Sequence, residues 1–270
     1  MRSVSSATAR PRVLAILGAS GGVGASCLVA AVATRASARG QSVLAVDGEG
    51  SLGRLDVLFD RESVPGVRWP DVAEARGRVD GRALLAQLPT SADGVHVLSG
   101  REPGSPPAGR PLGARDPDGA PAEGAGPGPD AVAAVLSALA SPDVGLDVIV
   151  LDLCRRVDAS ALFAHQCQDL AVLVGCGVPA LARAGDAVRR ADDLVPQGCR
   201  VWIAQRCPRT RGDLGDIVSE ALGVPLLTIV GDDPDLDQRL SRGLAPGSGR
   251  GPLATAADRV LRRLDEQETP

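Results

Sequence analysis

The stretch AILGASGGVGASC, from Ala15 to Cys27, joins an apolar run to a helix-like segment through a glycine-rich turn. Such a turn lets main-chain N–H groups converge on an anion, and a helix starting behind it adds the positive end of its dipole. Gly21, Gly22, Gly24, Ala25 and Ser26 keep that capacity without any charged side chain, and Ser20, Val23 and Cys27 complete the candidate phosphate-binding segment. What the segment lacks is a cation. The chain has no Lys at all, so its 29 basic residues are all Arg, and Asn and Tyr are missing as well. These residues use AT-rich codons, so a GC-rich genome accounts for part of their absence. Two carboxylates mark the ends of later apolar runs: Asp47 closes SVLAVD, and Asp152 lies in DVIVLDL.

The elements that would position these residues follow from hydrophobic patterning. Apolar runs at 13–17, 42–47, 95–99, 147–153, 170–175, 201–205 and 225–230 read as buried parallel strands. Helical patterns alternate with them over 24–39, 71–88, 130–141, 159–168, 179–195, 213–222, 233–242 and 251–264. Strand then helix, repeated, predicts an α/β fold: a doubly wound, mostly parallel sheet flanked by helices in a three-layer sandwich. Residues 12–265 read as one domain of this kind, with a short extension over 1–11 and a tail over 266–270. Within it, 101–129 is dominated by Pro, Gly and Ala. That segment cannot bury enough apolar area to offset its ordering entropy and is expected to be a mobile insertion.

A formal charge of −4 and a pI near 5.3 argue against the broad basic surface that direct nucleic-acid binding requires. No apolar run approaches the roughly 18 residues of a membrane span, and MRSVSSATARPR has no apolar core behind its charges. A cytoplasmic protein without stable membrane insertion is expected. The cysteines at 27, 154, 167, 176, 199 and 207 form no C-x-x-C pair, and several lie in strand-like runs, which favours buried thiols over disulfides or zinc ligands. His96 and His165 have no partner pattern and read as structural. The acidic run Asp232, Asp233, Asp235 and Asp237 stands at a helix start, where capping and dipole compensation explain it. Near the C-terminus, Leu253, Ala257, Leu261 and Leu264 share one helical face beside a mixed-charge polar side, as expected of a helix packed on the domain.

The glycine turn fits more than one family. GASGGVG resembles the dinucleotide-binding turns of short-chain and medium-chain dehydrogenases, with Asp47 placed to bind a ribose. Short-chain dehydrogenases, however, take their catalytic acid from a Tyr-x-x-x-Lys pair, and this chain contains neither residue type. SGGVGAS, Ser20 to Ser26, resembles the deviant Walker A loop K-G-G-V-G-K-[ST] of the MinD/ParA superfamily of P-loop ATPases, with Ser20 and Ala25 where the two lysines stand. VLAVDGEGSLGRLDVLFD over 43–60 is similar to the second strand and switch I of that superfamily, and DVIVLDLCRR over 147–156 to its Walker B strand. The DL-x-R ending and the GGVGAS loop resemble the CpaE branch. GVRWPDVAEARGRVDGRALLAQLP over 66–89 is similar to actinobacterial CpaE-like proteins known as septum site-determining proteins or found beside Tad pilus secretion genes. The similarity runs from Arg12 to Leu264, and members often carry a receiver-like domain ahead of this region.

The resemblance implies ATP or ADP with Mg²⁺ as ligand. Ser20 to Cys27 would cradle the phosphates, Ser26 would place its hydroxyl on Mg²⁺, and Asp152 and Asp47 would hold the ion through water as the catalytic carboxylates. Gln205, in WIAQR, is the amide available where this superfamily uses Asn to read adenine. Phosphoryl transfer depends on cations facing the developing charge, and losing one costs on the order of a few kcal/mol. The loop is therefore expected to bind triphosphate weakly and cut it slowly, with Arg54, Arg155 and Arg156 the candidate replacements. Three functions stay open. One is a spatial regulator of septum placement or Tad-type pilus assembly acting through protein partners, with vestigial ATP binding. The second is a slow Mg-ATPase that switches by ATP-dependent homodimerisation, and the third an NAD(P)-binding oxidoreductase-like protein.

Overall fold

A computed structural model of the chain describes residues 10–50, 53–101, 127–153, 157–207 and 214–266. All seven expected strands form: β1 (Arg12–Gly18), β2 (Val43–Asp47), β3 (Val95–Leu98), β4 (Val148–Leu153), β5 (Asp169–Val174), β6 (Arg200–Arg206) and β7 (Leu226–Val230). They build one sheet in the order β3-β2-β4-β1-β5-β6-β7, every neighbouring pair parallel. The apolar runs are continuous because both faces of the sheet are covered, and β2, β4 and β5 are buried at every position.

The helices are α1 (Ala25–Ala38), α2 (Gly81–Leu85), α3 (Pro129–Leu139), α4 (Val157–Ala164), α5 (Val178–Leu194), α6 (Leu214–Leu222), α7 (Leu236–Leu240) and α8 (Pro252–Glu266). Period-two alternation along the strands divides the core between two layers. Val13, Ala15 and Leu17 of β1 face the layer of α2 to α6, whereas Leu14 and Ile16 face α1 and α8. In α8, Leu253, Ala257, Leu261 and Leu264 are buried, and the helix lies against α1 and β7. Arg35 of α1 grips Asp258 through two hydrogen bonds of 3.0 and 2.9 Å, and Arg12 Nη1 donates to the Leu264 carbonyl at 2.5 Å. Among the described residues no helix is long and apolar enough to cross a membrane.

The helix expected over 71–88 does not form as one piece. A 3₁₀ turn spans Trp69–Val72 and the short α2 follows. Gly77 between them sits at φ 68°, and Asp80 caps α2 by accepting from Ala83 N at 3.0 Å. Tertiary packing overrides helical periodicity here: Trp69 is fully buried edge-on against Phe163, ring centroids 5.5 Å apart. The acidic run also behaves differently from expectation. Asp235 is the N-cap residue of the five-residue α7 but makes no side-chain cap, while Asp232 and Asp233 pair with Arg206 at 3.1 Å and Arg239 at 2.5 Å. Strand order corrects the dinucleotide-binding alternative, because β4 lies between β1 and β2 whereas the dinucleotide fold sets those strands side by side. Most of the insertion expected over 101–129, together with Arg155 and Arg156, lies outside the described residues.

Candidate functional site

Parallel pairing gathers the C-terminal ends of β1, β2, β4 and β6 along one edge of the sheet, and β1, flanked by β4 and β5, is where the strand order reverses. Open α/β sheets bind ligands at that point. A cleft of about 760 Å³ opens there, lined by the Ser20–Cys27 turn together with Asp47, Arg54, Asp152 and Arg206.

The turn is built by its glycines. Gly22 and Gly24 adopt φ 72° and 99°, left-handed conformations that a side chain resists. Gly24 is the N-cap of α1, which has no side-chain cap and no acidic residue in its first turn. The N–H groups of Gly21, Gly22, Gly24, Ala25 and Ser26 donate to no acceptor among the described residues. A helix N-terminus that is neither capped nor charge-compensated attracts an anion.

Asp47 and Asp152 are register partners on β2 and β4. Burial, aided by the nearby Asp47, pushes the Asp152 carboxyl up to about 7, while the Ser26 hydroxyl beside it pulls the other way. Ser26 and Asp152 both line the cleft, a hydroxyl and a carboxylate of the hard-oxygen type that holds Mg²⁺. Asp47 is committed elsewhere. Burial pushes it up to about 6, against hydrogen bonds from Glu49 N at 3.0 Å, Leu55 N at 2.8 Å and Ser99 Oγ at 3.0 Å. Its carboxylate lies so close to the backbone ahead of Leu55 that a Cβ on Gly53 would stand 2.1 Å from it.

One cation at the site comes from β6. Trp202 and Ala204 face α1 and Ile203 faces the other layer, so alternation turns Arg206 toward the cleft and Gln205 away from it. Arg206 Nη1 donates to the carbonyls of Gly22 at 3.4 Å and Val23 at 3.3 Å, and its Nε donates to Asp232 at 3.1 Å. The missed signal was the strand period itself, applied to two adjacent residues. Gln205 does not line the cleft. It is 1% exposed, neither amide atom has a hydrogen-bond partner among the described residues, and it lies beside Gly215 of α6.

Arg54 also lines the cleft. The Cys27 thiol is pushed up by burial and by the charge of Asp152. His96 Nδ1 lies 3.2 Å from Thr90 Oγ1, and His165 is exposed. Among the described residues no three His, Cys, Asp or Glu side chains gather as a metal cluster. A larger groove, about 1340 Å³, adjoins the segment leading into β4 rather than the strand ends, and its Arg76, Arg78 and Arg82 are offset by Asp80, Asp130 and Asp143.

No protein-family model matches the chain. Two curated proteins from two strains of Mycobacterium tuberculosis, both uncharacterized, are 34% identical over 250 residues, covering 92% of this chain and 63% of theirs. The chain therefore spans less than two thirds of those relatives. Among solved structures, a ParA family ATPase from Chlorobium tepidum is similar with a TM-score of 0.70 at 21% identity, covering 95% of this chain and 99% of that one. The MinC:MinD cell division protein complex of Aquifex aeolicus is similar with a TM-score of 0.69 at 17% identity, covering 96% and 98%. The septum site-determining protein MinD from Pyrococcus horikoshii, complexed with Mg-ADP, matches with a TM-score of 0.68 at 16% identity, covering 96% and 98%. Strand order and these likenesses together give the chain the P-loop fold of the ParA and MinD ATPases.

Proposed function

We propose that the chain is a MinD/ParA-type protein of the CpaE-like branch that regulates septum placement or Tad-type pilus assembly in the cytoplasm through protein partners, binding Mg-ATP or Mg-ADP weakly. The observation that carries this reading is the uncapped start of α1, with Ser26 and Asp152 lining the cleft beside it. Unpaired main-chain donors suit phosphate oxygens, and the hydroxyl–carboxylate pair suits the metal that accompanies them. The fit is good in kind and poor in charge, since Ser20 and Ala25 stand where lysines would be and Arg206 reaches the loop from its rim. When bound, Mg²⁺ would neutralise phosphate charge; the chain's own residues would orient the phosphates and hold the cation. The Mg-ADP in the Pyrococcus structure and the MinC partner in the Aquifex complex support the ligand class and the mode of action.

Isothermal titration of ATP, ADP and NAD(P) with Mg²⁺ tests the ligand. ATP and ADP are expected to bind in the high-micromolar to millimolar range, and Arg206→Ala to weaken them about tenfold, the worth of one charge-assisted contact. Heat from NAD(P) alone, or none from any nucleotide, refutes the reading. Arg206 also favours a second reading, a slow Mg-ATPase that dimerises with ATP. A doubling of mass in light scattering when ATP is added, with steady phosphate release, would establish it.

A further inference from the structure

At the end of the sheet opposite the cleft, two thiols meet. Cys167 stands two residues before β5, and Cys199 immediately precedes β6. These strands are adjacent and parallel, with Asp169 paired to Arg200. Residues 32 positions apart are thereby brought together, with their sulfurs 3.5 Å from each other. No C-x-x-C spacing announces the pair, because strand pairing creates it. Cys167 is 3% exposed, while Cys199 is half-buried and open to a small reagent.

The backbone around the pair is held firmly. Asp169 accepts from Arg12 at 3.1 Å, from Arg200 at 2.9 Å and from Trp202 Nε1 at 2.8 Å, tying the starts of β1, β5 and β6 to one carboxylate. Cys167 Sγ also donates to the Ala164 carbonyl at 2.9 Å. From 3.5 Å the sulfurs need to close by about 1.5 Å to reach a bond length near 2.05 Å. Side-chain rotation supplies a movement of that size.

We propose that Cys167 and Cys199 form a reversible dithiol site for peroxides, closing to a disulfide that ties the start of β5 to the start of β6. Cys199 reacts first. Its thiolate attacks one peroxide oxygen, the O–O bond breaks, and the departing hydroxide takes up the proton that Cys199 released, leaving a sulfenic acid and water. Cys167 Sγ then attacks Cys199 Sγ, the S–O bond breaks, and the Cys167 proton leaves with the hydroxyl as a second water. Two thiols and one peroxide give one disulfide and two waters. The order of attack follows from exposure, since a peroxide reaches half-buried Cys199 before Cys167, which is 3% exposed.

The test treats the full chain, fully reduced, with a few equivalents of hydrogen peroxide, then alkylates and maps its peptides by mass spectrometry. A Cys167–Cys199 disulfide is expected, reversed by dithiothreitol, while Cys27, Cys154, Cys176 and Cys207 remain alkylatable. The apparent melting temperature should rise by roughly 5–10 °C on oxidation, since the link closes a loop around α5, and Cys199→Ser should abolish the rise. The wild-type map decides even where the variant folds poorly. Alkylation of both Cys167 and Cys199 after peroxide, Cys199 carried to the sulfinic acid with Cys167 free, or a different linked pair overturns the proposal. None of these outcomes depends on nucleotide binding.

Discussion

Asp152 holds a proton at pH values where an exposed aspartate has lost it. Its carboxyl titrates at about 7 in the fold against 3.8 ordinarily, so between those values the folded chain binds a proton that the unfolded chain has released. Stability therefore declines as pH rises from about 4 to about 7 and stays reduced above that window. Asp152→Asn removes the cost of burying the charge. The variant is expected to exceed wild type by about 2–4 kcal/mol at pH 8, with the gap closed by pH 4. Urea denaturation at both pH values measures it, and an equal gap at the two would contradict the assignment of the penalty to this carboxyl. At this scale the sequence announced part of the site well. Ser26 and Asp152 are legible because glycine spacing and a strand-ending carboxylate declare their chemistry by residue type. Arg206 is not, because the register of β6 alone decides whether it or Gln205 faces the cleft, and a slip of one residue would exchange them.

The elements that present the site depend on burial more than on charge. Helix α8 covers α1, which carries the glycine turn at its start, and Leu261 is 4% exposed in that contact. Leu261→Ala is expected to cost about 2–5 kcal/mol through lost burial and a residual cavity. Asp258→Ala removes the Arg35 pair, whose side chains are 29% and 33% exposed, and should cost no more than about 1 kcal/mol because solvent screens it. Guanidinium unfolding of both variants decides the matter, and equal losses would mean that α8 is anchored by its ion pairs. The strands were readable from sequence because a parallel sheet buried on both faces requires uninterrupted apolar runs. The 71–88 segment was not, since its apolar residues serve a buried Trp69–Phe163 contact and a capped short helix. Helical spacing there reflects what the residues touch rather than how the backbone turns.

Across the whole molecule, chemistry is divided between the two edges of one sheet: anion-attracting amides and Arg206 at the C-terminal ends, the Asp169 cluster and the thiol pair at the N-terminal ends. A chain of net charge −4 repels a polyanion at long range, so any affinity for nucleotide arises locally, from the helix dipole, Arg206 and the accompanying Mg²⁺. A ligand bound only by the folded state raises stability by mass action. At a concentration about ten times its dissociation constant the gain is about 1.4 kcal/mol, which for a chain of this size moves the melting temperature by about 3–6 °C. Mg-ATP and Mg-ADP are expected to produce that shift, and NAD to produce none, because the strand order sets β4 where the dinucleotide fold needs β1 beside β2. Differential scanning calorimetry across a nucleotide titration reads the effect directly. A shift of equal size with inorganic phosphate at the same concentration would reduce the cleft to a general anion site, whereas a shift confined to nucleotides means that contacts beyond the phosphates take part.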